Sequence, residues 1–462
     1  MRAWLTLFLG LTATLAAAQF APGPIGGPHG GGPPPQAISA CQGQSEGKAC
    51  RFDAPRGEIR GECRNVREGL VCVPNDRPPP MRTGSDNGRE NMRQARHRGP
   101  SPKGADIANN NPAAVTVKSK VPDTGQGSCF DTSKIIPCPQ PGSPFYGQDA
   151  NYLGAAPAYR DNGDGTVTDL VTGLIWQQAH NAKRLGFYAA KRDCEQLRLA
   201  GYRDWRLPTT KELFSISDFR GSVGRRPYLN EVFEIKQPGR EVLQGDRFAS
   251  THSPEMMGQT WSSTIYTGVH YGRPGVEAAF FFNFLDGRIK QAPTDGHNRL
   301  FHRCVRGPGW GNNQYVKRGP DMVEDRSTGL VWQQHDDGKT RDWPSALAYC
   351  EGLTLGNLKW RLPNVKELET IVDYRRHNPA LDTRYLTMTD PRGWFWSSTT
   401  LGDNISQASY VCFGACVSVD GLDVHGAGAE RSDPKVGNPA DFSSQGGQRD
   451  AIRIMNYVRC VH

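Results

Sequence analysis

The sequence predicts an α+β protein built around two copies of one domain, and three observations carry that reading. First, VTDLVTGLIWQQ from Val167 returns as VEDRSTGLVWQQ from Val323, and WRLPTTKEL from Trp205 returns as WRLPNVKEL from Trp360, at offsets of 156 and 155 residues. WSST recurs at Trp261 and Trp396, and a closing RCV recurs around Cys304 and Cys460. Matches that keep their order over this distance mark a duplicated domain of ordinary size, not a solenoid. Second, Phe187, Ala190, Cys194 and Leu197 step by three, four and three, which is one face of a helix. Trp343, Ala346, Cys350 and Leu353 repeat that stripe. Third, the remainder of each copy alternates short apolar runs (TWSSTIY, EAAFFFNFLDG, FWSSTT, ASYVCF) with Gly/Asp turns, as antiparallel strands do.

Each copy opens on a strand, TGLIW or TGLVW, after the turn-rich DNGDGTVTD or PDMVED. Helix one of the second copy is started by Asp342 as N-cap and Pro344 in its first turn. Thr209-x-x-Glu212 and Asn364-x-x-Glu367 have capping-box spacing and start helix two, with Leu213 and Ile216, or Leu368 and Ile371, facing inward.

Ahead of the copies the composition changes. The 462 residues are only 37% hydrophobic, and 53 glycines and 34 prolines make up about a fifth of them, against about 12% on average. That excludes a helical bundle, a coiled coil and a polytopic membrane protein. Residues 1–18 read as a secretory signal: Arg2, an apolar run from Trp4 to Leu15, then Ala16-Ala17-Ala18 before Gln19. The mature chain is expected to be exported, periplasmic or secreted to the cell surface, without a transmembrane segment. Residues 19–40 are a Gly/Pro-rich leader, and 41–74 a small module whose four cysteines (Cys41, Cys50, Cys63, Cys72) allow three connectivities. Residues 75–128 are expected to be a disordered basic linker. From Arg77 to Lys120 nine basic residues face three acids, with too little apolar content to fold. Residues 129–149 form a lead-in bracketed by Cys129 and Cys138, and the copies span 150–307 and 315–462.

Twelve cysteines in an exported chain point to disulfides. By position they group as Cys194 with Cys304, Cys350 with Cys460, and Cys412 with Cys416. The short paired spacings of a zinc site are absent from the sequence.

The motif set DNGDGTVTDLVTGLIWQ, WRLPTTKEL, WSST and RCV, with TGLVWQQ, WRLPNVKEL, WSST and RCV in the second copy, resembles the Lcl C-terminal domain family, a bacterial family of unknown function. The resemblance covers about two thirds of the chain. It implies two tandem C-type-lectin-like domains and, in each, a disulfide from helix one to the final strand, here Cys194–Cys304 and Cys350–Cys460. It also implies an adhesin-like role in binding sulfated polysaccharide. The second copy departs from the pattern: it lacks DNGDGT, adds Cys412 and Cys416, and carries a Gly/Ser-rich stretch from about His425 to Asp450.

Arginine pairs sulfate or carboxylate bidentately. The loops between helix two and WSST hold Arg225, Arg226, Arg240 and Arg247 in the first copy, and Arg375, Arg376, His377 and Arg384 in the second. These are the candidate ligand-binding residues, weighed against scattered solvated charge. Asp161, Asp164 and Asp169 are weak calcium candidates, because glycine occupies the third and fifth loop positions where a calcium loop needs acids. A tight turn is the better reading of them. The paired tryptophans read as framework, each indole nitrogen needing a partner.

No catalytic string or cofactor motif is present, so neither catalysis nor a cofactor is expected. The sequence favours an exported, non-enzymatic binding protein for an anionic polysaccharide or another envelope component. A structural or assembly protein of the envelope with a protein partner comes second, and an enzyme on a formylglycine-generating-like fold last. Nucleic acid is disfavoured as a partner. If the division is right, limited trypsin digestion of the full chain cuts first between Arg77 and Lys120. First cuts inside either repeat would contradict it.

Overall fold

The computed structural model describes residues 35–54, 57–66, 69–74, 111, 113–181, 183–222, 226–235, 258–445 and 448–462. The signal and most of the leader and linker lie outside these residues. The chain divides into two units, 1–101 and 102–462.

In the first unit a short helix α1 (Pro35–Ser39) precedes an antiparallel sheet of β1 (Ala49–Ala54), β2 (Gly57–Val66) and β3 (Gly69–Pro74). So small a module cannot bury much apolar surface. Its interior is the four cysteines, joined as Cys41–Cys63 and Cys50–Cys72, with Ala37 beside them.

The second unit begins before the copies. Residues 113–128, assigned to the linker from composition, belong to the fold. They contain strand β4 (Val115–Thr116), and the lead-in follows with the hairpin β5 (Cys129–Phe130) and β6 (Ile135–Ile136) closed by Cys129–Cys138. Strand β4 pairs across the chain, not with that hairpin. It pairs in parallel with β7 (Tyr152–Leu153). Val121 is buried, as are Asp123, Thr124 and Gln126. These polar groups tolerate burial because they are bonded: Asp123 accepts from Gly125 N and Gly154 N, and Gln126 exchanges two bonds with the Thr400 backbone. Composition misses such a segment because hydrogen bonds, not apolar area, hold it.

The first copy places β8 (Tyr159–Asp161), β9 (Thr166–Asp169) and β10 (Ile175–Gln177) in one sheet. Helices α2 (Phe187–Gln196) and α3 (Thr210–Ser215) follow, then the antiparallel sheet β11 (Gln259–Ile265), β12 (Ala278–Asn283) and β13 (Arg288–Pro293). The closing strand β14 (Val305–Arg306) returns to β10. The second copy repeats the order with β15 (Tyr315–Lys317), β16 (Met322–Asp325), β17 (Leu330–Gln333), α4 (Trp343–Glu351) and α5 (Val365–Thr370). Its second sheet is β18 (Trp394–Thr400), β19 (Gln407–Cys412) and β20 (Glu430–Pro434). The Gly/Ser-rich stretch of the second copy therefore contains a sheet strand, buried throughout despite its sequence ERSDP.

The bridges Cys194–Cys304 and Cys350–Cys460 each span 110 residues and tie helix one to the end of the copy; Cys412–Cys416 completes the pairing. Six bridges use all twelve cysteines. They fit an oxidising, exported environment. Among the described residues, no helix is long and apolar enough to cross a membrane.

Both WRLP motifs work the same way. Arg206 grips Glu212 with two bonds of 2.7 Å, and Arg361 grips Glu367 with two of 2.6 Å. Each glutamate also closes a capping box on Thr209 or Asn364. The final-strand arginines Arg303 and Arg459 are buried and donate to the carbonyls of Gln177 and Gln178, or Gln333 and Gln334. Of the paired tryptophans, Trp205, Trp261, Trp360 and Trp396 donate to backbone carbonyls, whereas Trp176 and Trp332 are buried with no partner for Nε1.

The two copies are not separate bodies. Phe281 and Ala279 of β12 pack into the first copy's own core with Cys194 and Trp261. Phe280 and Phe282, on the other face, join Leu213, Phe214 and Ile216 in a core that also holds Val365, Leu368, Ile371 and Val411 of the second copy. A strand buried on both faces reads as a continuous apolar run, which explains AAFFF. Helices of six residues could not stand alone, and α3 and α5 pack on each other across this core.

A reciprocal pair of lysines crosses the junction. Lys211 Nζ donates to Thr370 O (2.7 Å) and Gly311 O (3.1 Å), while Lys366 Nζ donates to Ser215 O (2.9 Å) and Asp123 O (3.0 Å). Residues 211 and 366, like 215 and 370, are repeat equivalents, so the contact has the self-complementary form of a two-fold interface. At the same junction a Cβ on Gly402 would lie 2.0 Å from Gly221 O, so only glycine fits.

Two outcomes follow. Lys366→Met leaves two buried carbonyls without a donor and should lower the stability of the full chain by about 1–3 kcal/mol in denaturant unfolding. Equal or greater stability would show that relief of charge burial cancels the bonds. Asp149, buried and bonded by Thr124 and Thr399, is pushed up to about 8 by burial and by the nearby Asp123. The folded chain then holds a proton that the unfolded chain releases near pH 4, so this group's contribution falls as pH rises from about 4 to about 8. Asp149→Asn should flatten the decline in melting temperature over that window; an unchanged pH profile would refute the assignment.

Candidate functional site

A cleft of about 570 Å³ opens where the copies meet. Its floor is the connection between β14 and β15. Trp310 N donates to Glu212 Oε1 (3.1 Å), and Asn313 donates to Asp325 Oδ2 (2.8 Å). Gln314 N donates to Asp325 Oδ1 (2.8 Å). Lys211 bonds Asn313 Oδ1 as well as Gly311 O, and burial pushes it down to about 8. Gly311 has φ +86°, and a Cβ there would sit 2.9 Å from the Lys211 side chain. A connection rich in glycine and asparagine is thus held rigidly by groups from both copies.

One wall is aromatic: the Tyr315 and Tyr385 ring centroids are 5.5 Å apart, and Tyr374 lines the same cleft. The rim is cationic. Arg375 Nε and Nη2 grip Asp373 at 2.8 and 3.1 Å, and Arg384 Nε and Nη2 grip Asp382 at 2.8 and 2.6 Å. The partners differ sharply in exposure. The arginine side chains are 81% and 70% exposed, the aspartates 9% and 8%. Each carboxylate therefore fixes a guanidinium from below, leaving its Nη1 edge toward solvent. Arg384 holds Asp382 below the usual carboxylate range. Burial opposes ionisation of Asp373, but its bonds from Arg375 prevail and its pKa is lowered too.

The structure sorts the candidate residues. Arg375 and Arg384 line the cleft. Arg376 shares Asp373 (3.1 Å), and His377 Nδ1 bonds Thr267 Oγ1 (3.2 Å). Arg226 joins Arg220 on Asp218, the first-copy equivalent of Asp373. There Thr124 O accepts from Phe219 N (2.8 Å), so segment 113–128 occupies the position that matches the cleft of the second copy. Arg225, Arg240 and Arg247 lie outside the described residues. Asp161 and Asp164 accept from backbone N–H groups of their own turn, and Asp169 from those of the next turn along with the Thr172 hydroxyl. Sequence reasoning passed over Trp310, Tyr315, Tyr385 and Lys211. The available signal was Trp310 itself, in GPGWGNNQY between the copies, with no tryptophan at the matching place before the first copy.

The model of the Lcl C-terminal domain matches residues 165–306 and again 321–427, together more than half of the chain. The chain belongs to the Lcl C-terminal domain family. The second match stops before β20 and Cys460, in the Gly/Ser-rich stretch where the copies differ. No curated protein and no solved structure matches the chain. The family match covers both ends of the cleft but not its floor, since Trp310 to Tyr315 fall between the two matched segments.

Proposed function

We propose that this Lcl C-terminal domain protein is an exported, non-enzymatic binding protein that recognises an acidic glycan in the cleft between two tandem, C-type-lectin-like copies. The supporting observation is the pairing of outward guanidinium edges at Arg375 and Arg384 with the Tyr315–Tyr385 wall. A fixed planar guanidinium offers two parallel donors to a carboxylate or sulfate, and an aromatic face takes the apolar side of a sugar ring. The side-chain amides of Asn312 and Gln314 supply donors and acceptors for hydroxyls. Because the aspartates are buried beneath their arginines, the groups that the rim exposes are the cationic ones.

A second reading, an envelope assembly protein with a protein partner, is favoured by one feature. Val269, Val419 and Leu422 are 48%, 40% and 43% exposed, and a bond from Tyr271 N to Asp423 O joins their segments.

Retention of the full chain on heparin and on polygalacturonate should be strong at low ionic strength and weaken with salt. Arg375→Ala with Arg384→Ala should lower affinity at least about tenfold, at the scale of a lost charged hydrogen bond. No retention of the intact protein, or equal retention of the variant, would sink the glycan reading. The protein-partner reading would then lead.

A further inference from the structure

The cleft does not end at its floor. On the far side of the same connection is a second cavity of about 420 Å³, lined by Lys120, Gly309, Arg326, Ser327 and Thr328. Trp310, Gly311, Asn312 and Gln314 line both cavities. The connection is thus a bar between two depressions. It is pinned from both sides, since Gln314 N donates to Asp325 and Gln314 O accepts from Arg326 N (3.0 Å).

The chemistry of the second depression differs from that of the first. No acid lines it, and its charged groups are Lys120 and Arg326, both exposed. Both are placed by ordered backbone. Lys120 N donates to Thr328 O (2.8 Å), Lys120 Nζ donates to Arg326 O (3.4 Å), and the next residue, Val121, is buried. The hydroxyls of Ser327 and Thr328 are turned to Asp325, which also holds Asn313 of the bar. One buried carboxylate therefore organises the bar and the neighbouring basic turn together.

We infer that Lys120 and Arg326 form a second anionic subsite, and that the ligand is a chain crossing the bar over Trp310, not a single sugar. This rests on the acidic-glycan reading above and deepens it. Each depression alone has the size of an ordinary small-ligand site. Two of them sharing Trp310 suit a linear polysaccharide that presents one acidic group to Arg375 and Arg384 and a later one to Lys120 and Arg326. The second contact is then intramolecular, and its gain comes from effective concentration.

The test compares a heparin disaccharide with a heparin octasaccharide on the full chain, by calorimetry. The octasaccharide should bind tighter by about tenfold or more, the modest end of such linkage. Lys120→Ala with Arg326→Ala should erase that advantage and leave disaccharide affinity as it was. Arg375→Ala with Arg384→Ala should weaken both ligands. Disaccharide binding with no length advantage, or an advantage that survives loss of Lys120 and Arg326, overturns the second subsite and leaves the glycan reading standing. Failure of both ligands to bind overturns the two together.

Discussion

Each copy lends the other one ammonium group, and most of the architecture depends on that exchange. The C-terminal carbonyls of a helix need donors. Here α5 and α3 end against each other's lysine, Lys211 on Thr370 O and Lys366 on Ser215 O. Helices of six residues gain their fixed ends from outside their own domain. Because those ends are fixed, Phe214, Phe282, Leu368 and Val411 can close one core from two directions. The same lysine, through Gly311 O and Asn313, holds the bar over which the cleft forms.

Much of this was legible in the residues. The α+β order, the cysteine-bearing helix stripe and the capping boxes at Thr209 and Asn364 could be read from spacing, because each is a local pattern. The glutamate of KEL announced its cap, but its bidentate arginine in WRLP required the chain to turn back on itself. The lysine of KEL was silent. A lysine on a short helix reads as solvent-facing, and only the placement of the second copy reveals its acceptors. Strand β20 was hidden for a related reason. Its charged sequence is buried at the junction, where Arg431 pairs with Asp450 and Arg288 reaches Ser432. The arginine cluster was half readable: Arg375 and Arg384 stand in the loop their sequence position suggested and line the cleft, but Trp310 comes from a connection that belongs to neither repeat.

The segment just ahead of the lead-in shows how composition can mislead. Residues 113–128 carry few apolar side chains, yet Gln126 stitches itself to Thr400 and Asp123 caps its own turn. They also fill the first copy's equivalent of the cleft. The asymmetry between the copies thus arises less from the repeats than from what precedes each one. Before the first copy the chain lies down along Phe219; before the second, it bridges a gap.

The reciprocal junction also divides the molecule by how freely it can change. Gly402, whose Cβ would meet Gly221 O of the other copy at 2.0 Å, sits where both halves must accommodate any alteration at once. The bar along the cleft is single, with no tryptophan matching Trp310 ahead of the first copy. Duplication has therefore left the protein with a line of shared parts where the copies meet and, beside it, one connection that was never duplicated.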